Sequence, residues 1–93
     1  MPPPNPPPVP LGQTVATPAA LGVLSRTDIV TALRRHAAGD WGEVDDEDRA
    51  ANDRALKSGE RLLSVYRSAN GDPFWVITEA DRSVTTVLLP DDY

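Results

Sequence analysis

"RLLSVYRSANGDPFWVITEADRSVTTVLL", residues 61–89, decides the fold. "RLLSVYR" (61–67) alternates in the period of a strand. Leu63 and Val65 fall on one face, and Leu62, Ser64 and Tyr66 on the other. Asn70-Gly71 follows, a pair that favours the positive φ angles of a tight hairpin turn. "PFWVIT" (73–78) reads as a second strand, with Pro73 at its first position, where the missing N–H does least harm. "EADRS" is a second turn, and "VTTVLL" (84–89) a third strand stopped by Pro90. Three strands joined by short turns predict an antiparallel meander.

Upstream the texture is helical. "LSRTDIVTALRRHAAG" begins with Ser25 as a helix cap and Asp28 three residues on, a capping-box spacing. Ile29, Leu33, His36 and Ala37 then share one face, and Gly39 ends the helix. Asp45 is the natural cap of a next helix, with Asp46, Glu47 and Asp48 in its first turn and Gly59 as its stop. Thr17-Pro18 has the cap-then-proline pattern of a short helix start. "LGQTVAT" (11–17) is rich in β-branched residues and is available as an edge strand. The expected class is α+β: two to three short helices packed on a small antiparallel sheet, with a possible fourth edge strand near residue 14. Val15, Leu21, Leu24, Ile29, Leu33, Leu56, Leu63, Val65, Phe74, Val76, Val87 and Leu89 form the expected core. Both sheet faces carry apolar residues, so which one the helices cover stays open.

Ninety-three residues make one domain. Residues 1–10, "MPPPNPPPVP", read as a disordered, polyproline-like tail, and residues 11–93 as the α+β domain. There is no cysteine, which removes thiol chemistry, disulfides and Cys-ligated zinc. No apolar run reaches membrane-spanning length and no leader precedes one, so the chain is expected in the cytoplasm, with no membrane partner. The net charge of −5 disfavours direct nucleic-acid binding and favours basic partners.

The acidity is concentrated. "GDWGEVDDEDRAAND" (39–53) holds seven of the fourteen acidic residues and one basic residue. It does not follow the odd-position spacing of a calcium loop, and consecutive acids on a helix radiate outward rather than converge. No metal and no cofactor is expected. His36 is the single histidine, and a lone histidine near a helix end is more often a packing residue than a base. No nucleophile elbow, Ser-x-x-Lys pair or phosphate loop is present, so an enzyme is not expected. Acids in the first turn of a helix also suit the positive end of its dipole, which accounts for much of the run without any function.

Two tryptophans stand out in so small a chain. Trp41 sits in a turn, where it serves either as a lid on the core or as an interface anchor; Trp75 lies mid-strand opposite Phe74 and Val76, in the core or on a dimer face. The turn holding Glu79, Asp81 and Arg82 reads as a solvated loop with a local ion pair, or as a recognition loop. In the second case it joins residues 40–48 and Asp92 in one acidic surface.

"PLGQTVATPAAL", "HAAGDWGEVDDEDRAANDRAL", "RLLSVYR", "WVITEADRS" and "TTVLLPDDY" together resemble a family of small proteins carried by plasmids, integrative elements and prophages of proteobacteria. Its members are often labelled "plasmid-related protein" or "type I restriction endonuclease subunit M". The second label does not suit this chain, which is too short for a methyltransferase's cofactor fold. The resemblance implies genomic company, and small acidic proteins in that company include inhibitors of host defence, anti-CRISPR proteins among them. The expected function is therefore non-enzymatic inhibition of a host defence complex, anti-CRISPR or anti-restriction, by binding a protein surface. The expected contact set is Asp40, Trp41, Glu43, Asp45, Asp46, Glu79, Asp81 and Asp92. The alternative is a dimeric accessory protein of element maintenance, which puts more weight on the Trp75 face. Oligomeric state, monomer or homodimer, stays open.

Overall fold

The computed structural model describes residues 9–93. In order, the chain forms β1 (Gln13–Ala16), α1 (Pro18–Val23), α2 (Arg26–Ala37), α3 (Asp46–Ser58), β2 (Leu62–Arg67), β3 (Pro73–Thr78) and β4 (Val84–Leu88). A single 3-10 turn over Pro90–Asp92 closes it. The fold is α+β, as expected.

The helix starts follow from their caps. Thr17 accepts the Ala20 amide and Pro18 opens α1. Ser25 and Asp28 cap each other's backbone at α2, a complete capping box. Asp45 accepts the Asp48 amide at 2.7 Å to start α3, and Gly59 leaves it in the left-handed conformation at φ +78°.

The sheet order is β1-β4-β3-β2. The meander is antiparallel as expected, whereas the fourth strand joins β4 in parallel, with Gln13 beside Val84 and Ala16 beside Val87, so the sheet is mixed. The helices cover the face that carries Leu62, Ser64, Tyr66, Phe74, Val76, Thr78, Thr85 and Val87, all of them buried. Ala20, Leu24 and Ala32 pack there against Tyr66, Phe74, Val76 and Val87, with Ile29, Leu33 and Leu89 at the margin. A second cluster joins Val9, Trp41, Val44, Ala55 and Leu62, flanked by Leu56 and Val65.

Two expected core residues are surface residues: Val15 is 39% exposed and Leu21 62%. Val15 points to the face away from the helices, and α1 buries Ala20 instead of Leu21. The expected tail ran to residue 10, but Val9 is fully buried and its amide donates to the Ala37 carbonyl at 3.2 Å. The first eight residues of that expected tail lie outside the described part.

The β2 edge of the sheet is closed twice. A strand edge presents unpaired N–H and C=O groups, here those of Leu63 and Val65. Asn52, buried mid-helix on α3, donates Nδ2–H to the Leu63 carbonyl at 2.7 Å and accepts the Leu63 amide at 3.2 Å. Its amide thus stands in for a neighbouring strand. At Val65 the loop after α2 does the same, since the Val65 amide donates to the Trp41 carbonyl at 3.0 Å and the Glu43 amide to the Val65 carbonyl at 2.7 Å. Replacing Asn52 with alanine is expected to cost about 2 kcal/mol, because two part-buried backbone groups lose their partners. Asn52→Asp is expected to cost more, since it sets an oxygen against the Leu63 carbonyl. Urea unfolding of the two variants measures both, and equal stability of all three proteins would refute this account of the edge.

Candidate functional site

The acidic segment is held against β2 by Gly42. At φ +75° this residue adopts a backbone shape that side chains resist, and a Cβ there would strike the Val65 carbonyl and the Tyr66 ring. The tight approach turns residues 40–44 along the sheet edge, against which α3 then sets Asn52.

Each expected contact residue now has a place. Asp40 takes a two-pronged bond from Arg35, at 2.7 Å from Nε and 3.2 Å from Nη2, and also accepts the Gly42 amide. The Arg35 guanidinium holds its carboxyl below the usual range. Its carbonyl accepts the Tyr66 hydroxyl, whose own ionisation burial pushes up to about 12. Glu43 pairs with Arg67 at 3.0 Å. Asp45 is the α3 cap, and Asp46 is fully exposed, 3.6 Å from Arg49. Glu79 pairs with Arg61 at 3.2 Å. Asp81 accepts the Ser83 amide, and Ser83 holds its carboxyl low. Asp92 accepts the Thr17 hydroxyl at 2.6 Å and the Leu89 amide, and the Thr17 bond holds its carboxyl below the usual range.

These residues do not form one surface. Glu43 sits at the Arg67 end of β2 and Glu79 at the Arg61 end, about 20 Å apart along a strand at ~3.3 Å per residue. Asp92 ties the end of the chain to the start of α1. Arg82 makes no ion pair in the turn. It adopts φ +62° and reaches back to the end of α3, donating to the Ala55 and Glu60 carbonyls at 2.9 and 2.6 Å. A guanidinium at a helix C-terminus satisfies orphan carbonyls and suits the dipole.

Trp41 offers little surface to a partner. It is 3% exposed, packs edge-on against His36 at 5.6 Å and donates its indole N–H to Asp53 at 3.0 Å. It is the lid of the second core cluster. Trp75 is half-buried on the far face of the sheet, where Tyr93 folds over it edge-on at 5.6 Å and accepts a bond from Arg61 at 3.0 Å. The face expected to serve a dimer is thus partly covered by the chain's own last residue.

What remains is a short acidic rim. Asp46, Glu47 and Asp48 are exposed in the first turn of α3, beside Asp45 and next to the Glu43–Arg67 pair. Glu47 and Asp48 belong to this rim and were missing from the expected contact set. The consecutive run already placed them on a helix surface, so that signal was readable.

Sequence reading also missed a buried hydrogen-bond chain. His36 is fully buried, with Nδ1 2.6 Å from Ser64 Oγ and Nε2 2.8 Å from Thr78 Oγ1. Thr78 Oγ1 lies 2.7 Å from Thr85 Oγ1, and Thr85 donates to the Leu11 carbonyl at 2.7 Å. A carbonyl only accepts, so the direction of the whole chain follows. Thr85 gives its proton to Leu11, Thr78 gives to Thr85, and His36 Nε2–H gives to Thr78. Nδ1 then accepts from Ser64. The histidine is a neutral Nε2–H tautomer, and burial lowers its pKa to about 4. It links α2 to β2, β3, β4 and the entering chain.

An open cleft of about 400 Å³ lies between Val23, Pro73, Leu89 and Pro90, with Asp72 and Asp91 at its rim. It has no basic or nucleophilic group. Among the described residues no cluster of three or more His, Asp or Glu side chains is placed to hold a metal ion, and no helix is long and apolar enough to cross a membrane. Comparison with family models, with curated proteins and with solved structures found no match to this chain.

Proposed function

We propose that the protein is a non-enzymatic binding protein of a mobile element that inhibits a host defence complex, of the anti-CRISPR or anti-restriction class. It acts by setting its acidic rim against a basic protein surface. The observation that carries this reading is the state of residues 45–48. Four consecutive acids stand at the start of α3, and among the described residues Arg49, at 3.6 Å from Asp46, is the one cation within ion-pair distance of them. Carboxylates that diverge from a helix end suit a flat partner better than a small substrate, which needs groups that converge. The class of partner rests on the resemblance to mobile-element proteins.

The test separates binding from folding. Asp45 caps α3, so its replacement would unfold the helix start along with any interface. Asp46→Lys combined with Glu47→Lys leaves the cap in place. The tagged protein is used to capture partners from lysates with active CRISPR and restriction systems, and these are eluted by raising salt, which screens exposed ion pairs. A defence subunit is expected in the eluate of the native protein. The charge-reversed protein, with an unchanged circular dichroism spectrum, is expected to lose it. Undiminished capture by that variant removes the rim from the interface. Recovery of only replication or conjugation factors removes the inhibitor reading in favour of the accessory one.

A further inference from the structure

The two edges of the sheet are treated differently. Asn52 and the Trp41–Glu43 loop occupy the backbone groups of β2, whereas no described residue does so for β1. Gln13 and Thr17 donate to the carbonyls of Ser83, just before β4, and of Val87 in it, so the alternate residues Thr14 and Ala16 turn their N–H and C=O outward. Natural edges are usually blunted by charge, proline or cover. "QTVA" has none of these.

β1 and α1 themselves carry no charged side chain; the carboxylate beside them is Asp92, bound by the Thr17 hydroxyl. Arg26 is the first charged side chain in the sequence, and all nine basic and fourteen acidic residues lie from there on. The exposed apolar side chains beside the edge are Val15, Leu21 at 62% and Val23 at 45%. Between β1, α1 and α2 runs a shallow groove of about 130 Å³, floored by Ile29, Leu33 and Val87.

We infer that β1 is a homodimer interface, pairing antiparallel with β1 of a second copy about a two-fold axis through Val15. This register follows from which groups point outward. It places Thr14 opposite Ala16 of the second copy and Ala16 opposite Thr14, giving four N–H···O=C bonds. Val15 then meets Val15 of the second copy in a close, non-hydrogen-bonded pair, with Cα atoms about 4.5 Å apart. Four residues are too few for a stable interface, which needs about 800 Å² from each partner. Leu21 and the groove extend it on the helical side.

Charge and composition select a second copy as the occupant. A two-fold contact sets each side chain near its own equivalent, so any charge would repel itself; β1 and α1 carry none, and the carboxylate beside them, Asp92, is taken up by the Thr17 hydroxyl and the Leu89 amide. The chain's own proline-rich head is a poor strand for this edge. Proline supplies no N–H, and residues 2–8 offer one backbone amide, at Asn5. The inference does not depend on the proposed function. The acidic rim lies by the β2 edge, so it stays free at both far ends of the continuous eight-stranded sheet such a dimer would form.

Sedimentation velocity of the full chain over a range of concentrations tests it. The native protein is expected to reach twice the 10.0 kDa of one chain. Val15→Lys, which puts like charges opposite each other, is expected to raise the dissociation constant at least about tenfold. Its far-UV circular dichroism should not change, because Val15 lies on the surface. The chain has no cysteine, so Val15→Cys gives a second readout independent of folding energetics. On oxidation it is expected to form a covalent dimer, since cross-strand Cα atoms at that spacing are within disulfide range. Val30→Cys, on the outer face of α2, is expected not to. A native protein that stays a single chain at every concentration overturns the inference. So does a Val15→Lys protein that keeps the doubled mass, or a Val15→Cys protein that does not cross-link.

Discussion

Replacing His36 with alanine is expected to remove about 4 kcal/mol of folding stability and to lower the melting temperature by about 20 °C. Two effects add. A buried ring is deleted from beneath Trp41, and the hydroxyls of Ser64 and Thr78 lose the partner between them. A domain of this size has roughly 5–14 kcal/mol in all, so the loss is between about a quarter and most of it. His36→Gln keeps a donor and an acceptor and is expected to recover part of the loss. Differential scanning calorimetry of the three proteins at pH 7 measures it; a shift below about 5 °C for the alanine variant would refute the role given to the hydrogen-bond chain.

The same residue sets a pH dependence. His36 ionises near 6.5 when unfolded and near 4 when folded. Between those values the unfolded chain takes up a proton that the folded chain refuses. Stability is therefore whole above pH 6.5 and falls as the pH drops towards 4. At pH 5 the loss is about 2 kcal/mol. Asp40 and Asp92, held low by Arg35 and Thr17, lose their contribution in a lower window, as the pH falls past the ordinary 3.8 at which the same carboxyls protonate in the unfolded chain. His36→Gln should flatten the slope between pH 7 and pH 5 and leave the acid limb unchanged. An unaltered slope would show that another group carries it.

The second large effect is expected at Gly42. Gly42→Ala is predicted to cost 3 kcal/mol or more, by two routes that a control can separate. The left-handed backbone alone costs about 1–2 kcal/mol for any side chain. Gly71 has φ +88° and open space around its Cβ position, so Gly71→Ala reports that cost by itself. At Gly42 the added methyl also meets the Val65 carbonyl and the Tyr66 ring, which forces the loop off the strand. The amide and carbonyl of Val65 then lose Trp41 and Glu43 and stand open on a sheet edge. Gly42→Ala is therefore expected to scatter light increasingly with concentration, whereas Gly71→Ala is not. Equal stabilities of the two variants would refute the close approach as the reason for glycine here.

Local signals in the sequence proved dependable. Thr17, Ser25 with Asp28, and Asp45 all cap the helices assigned to them, because a cap is made by residues two or three apart. Asn70-Gly71 turns the chain between β2 and β3 for the same reason. The meander and the α+β class followed from strand period and turn spacing. What could not be read lies between residues far apart in sequence. Nothing near Asn52 says that its amide will meet Leu63 on a strand edge. Trp41 is buried because the Gly42 approach folds its loop inward, and no local pattern distinguishes that from an exposed turn. The acids at 40–48 and at 79–81 look alike in sequence, yet β2 holds them at opposite ends. Arg82 was readable only as a turn residue, although its side chain caps a helix 27 positions away.

The parallel pairing of β1 with β4 has a bearing on how the molecule comes into being. Leu11 and Thr85, joined by one hydrogen bond, are 74 positions apart, and Gln13 finds its neighbour only at Val84. During synthesis α2 and α3 form early from their own caps, while the first strand emerges long before the strand it pairs with exists. Closing so long a loop is slow compared with making a helix or a hairpin. The sheet is therefore completed only after β4 has left the ribosome. Until then β1 and α1, which carry no charged side chain, wait without their partner strand and are open to a nascent-chain chaperone.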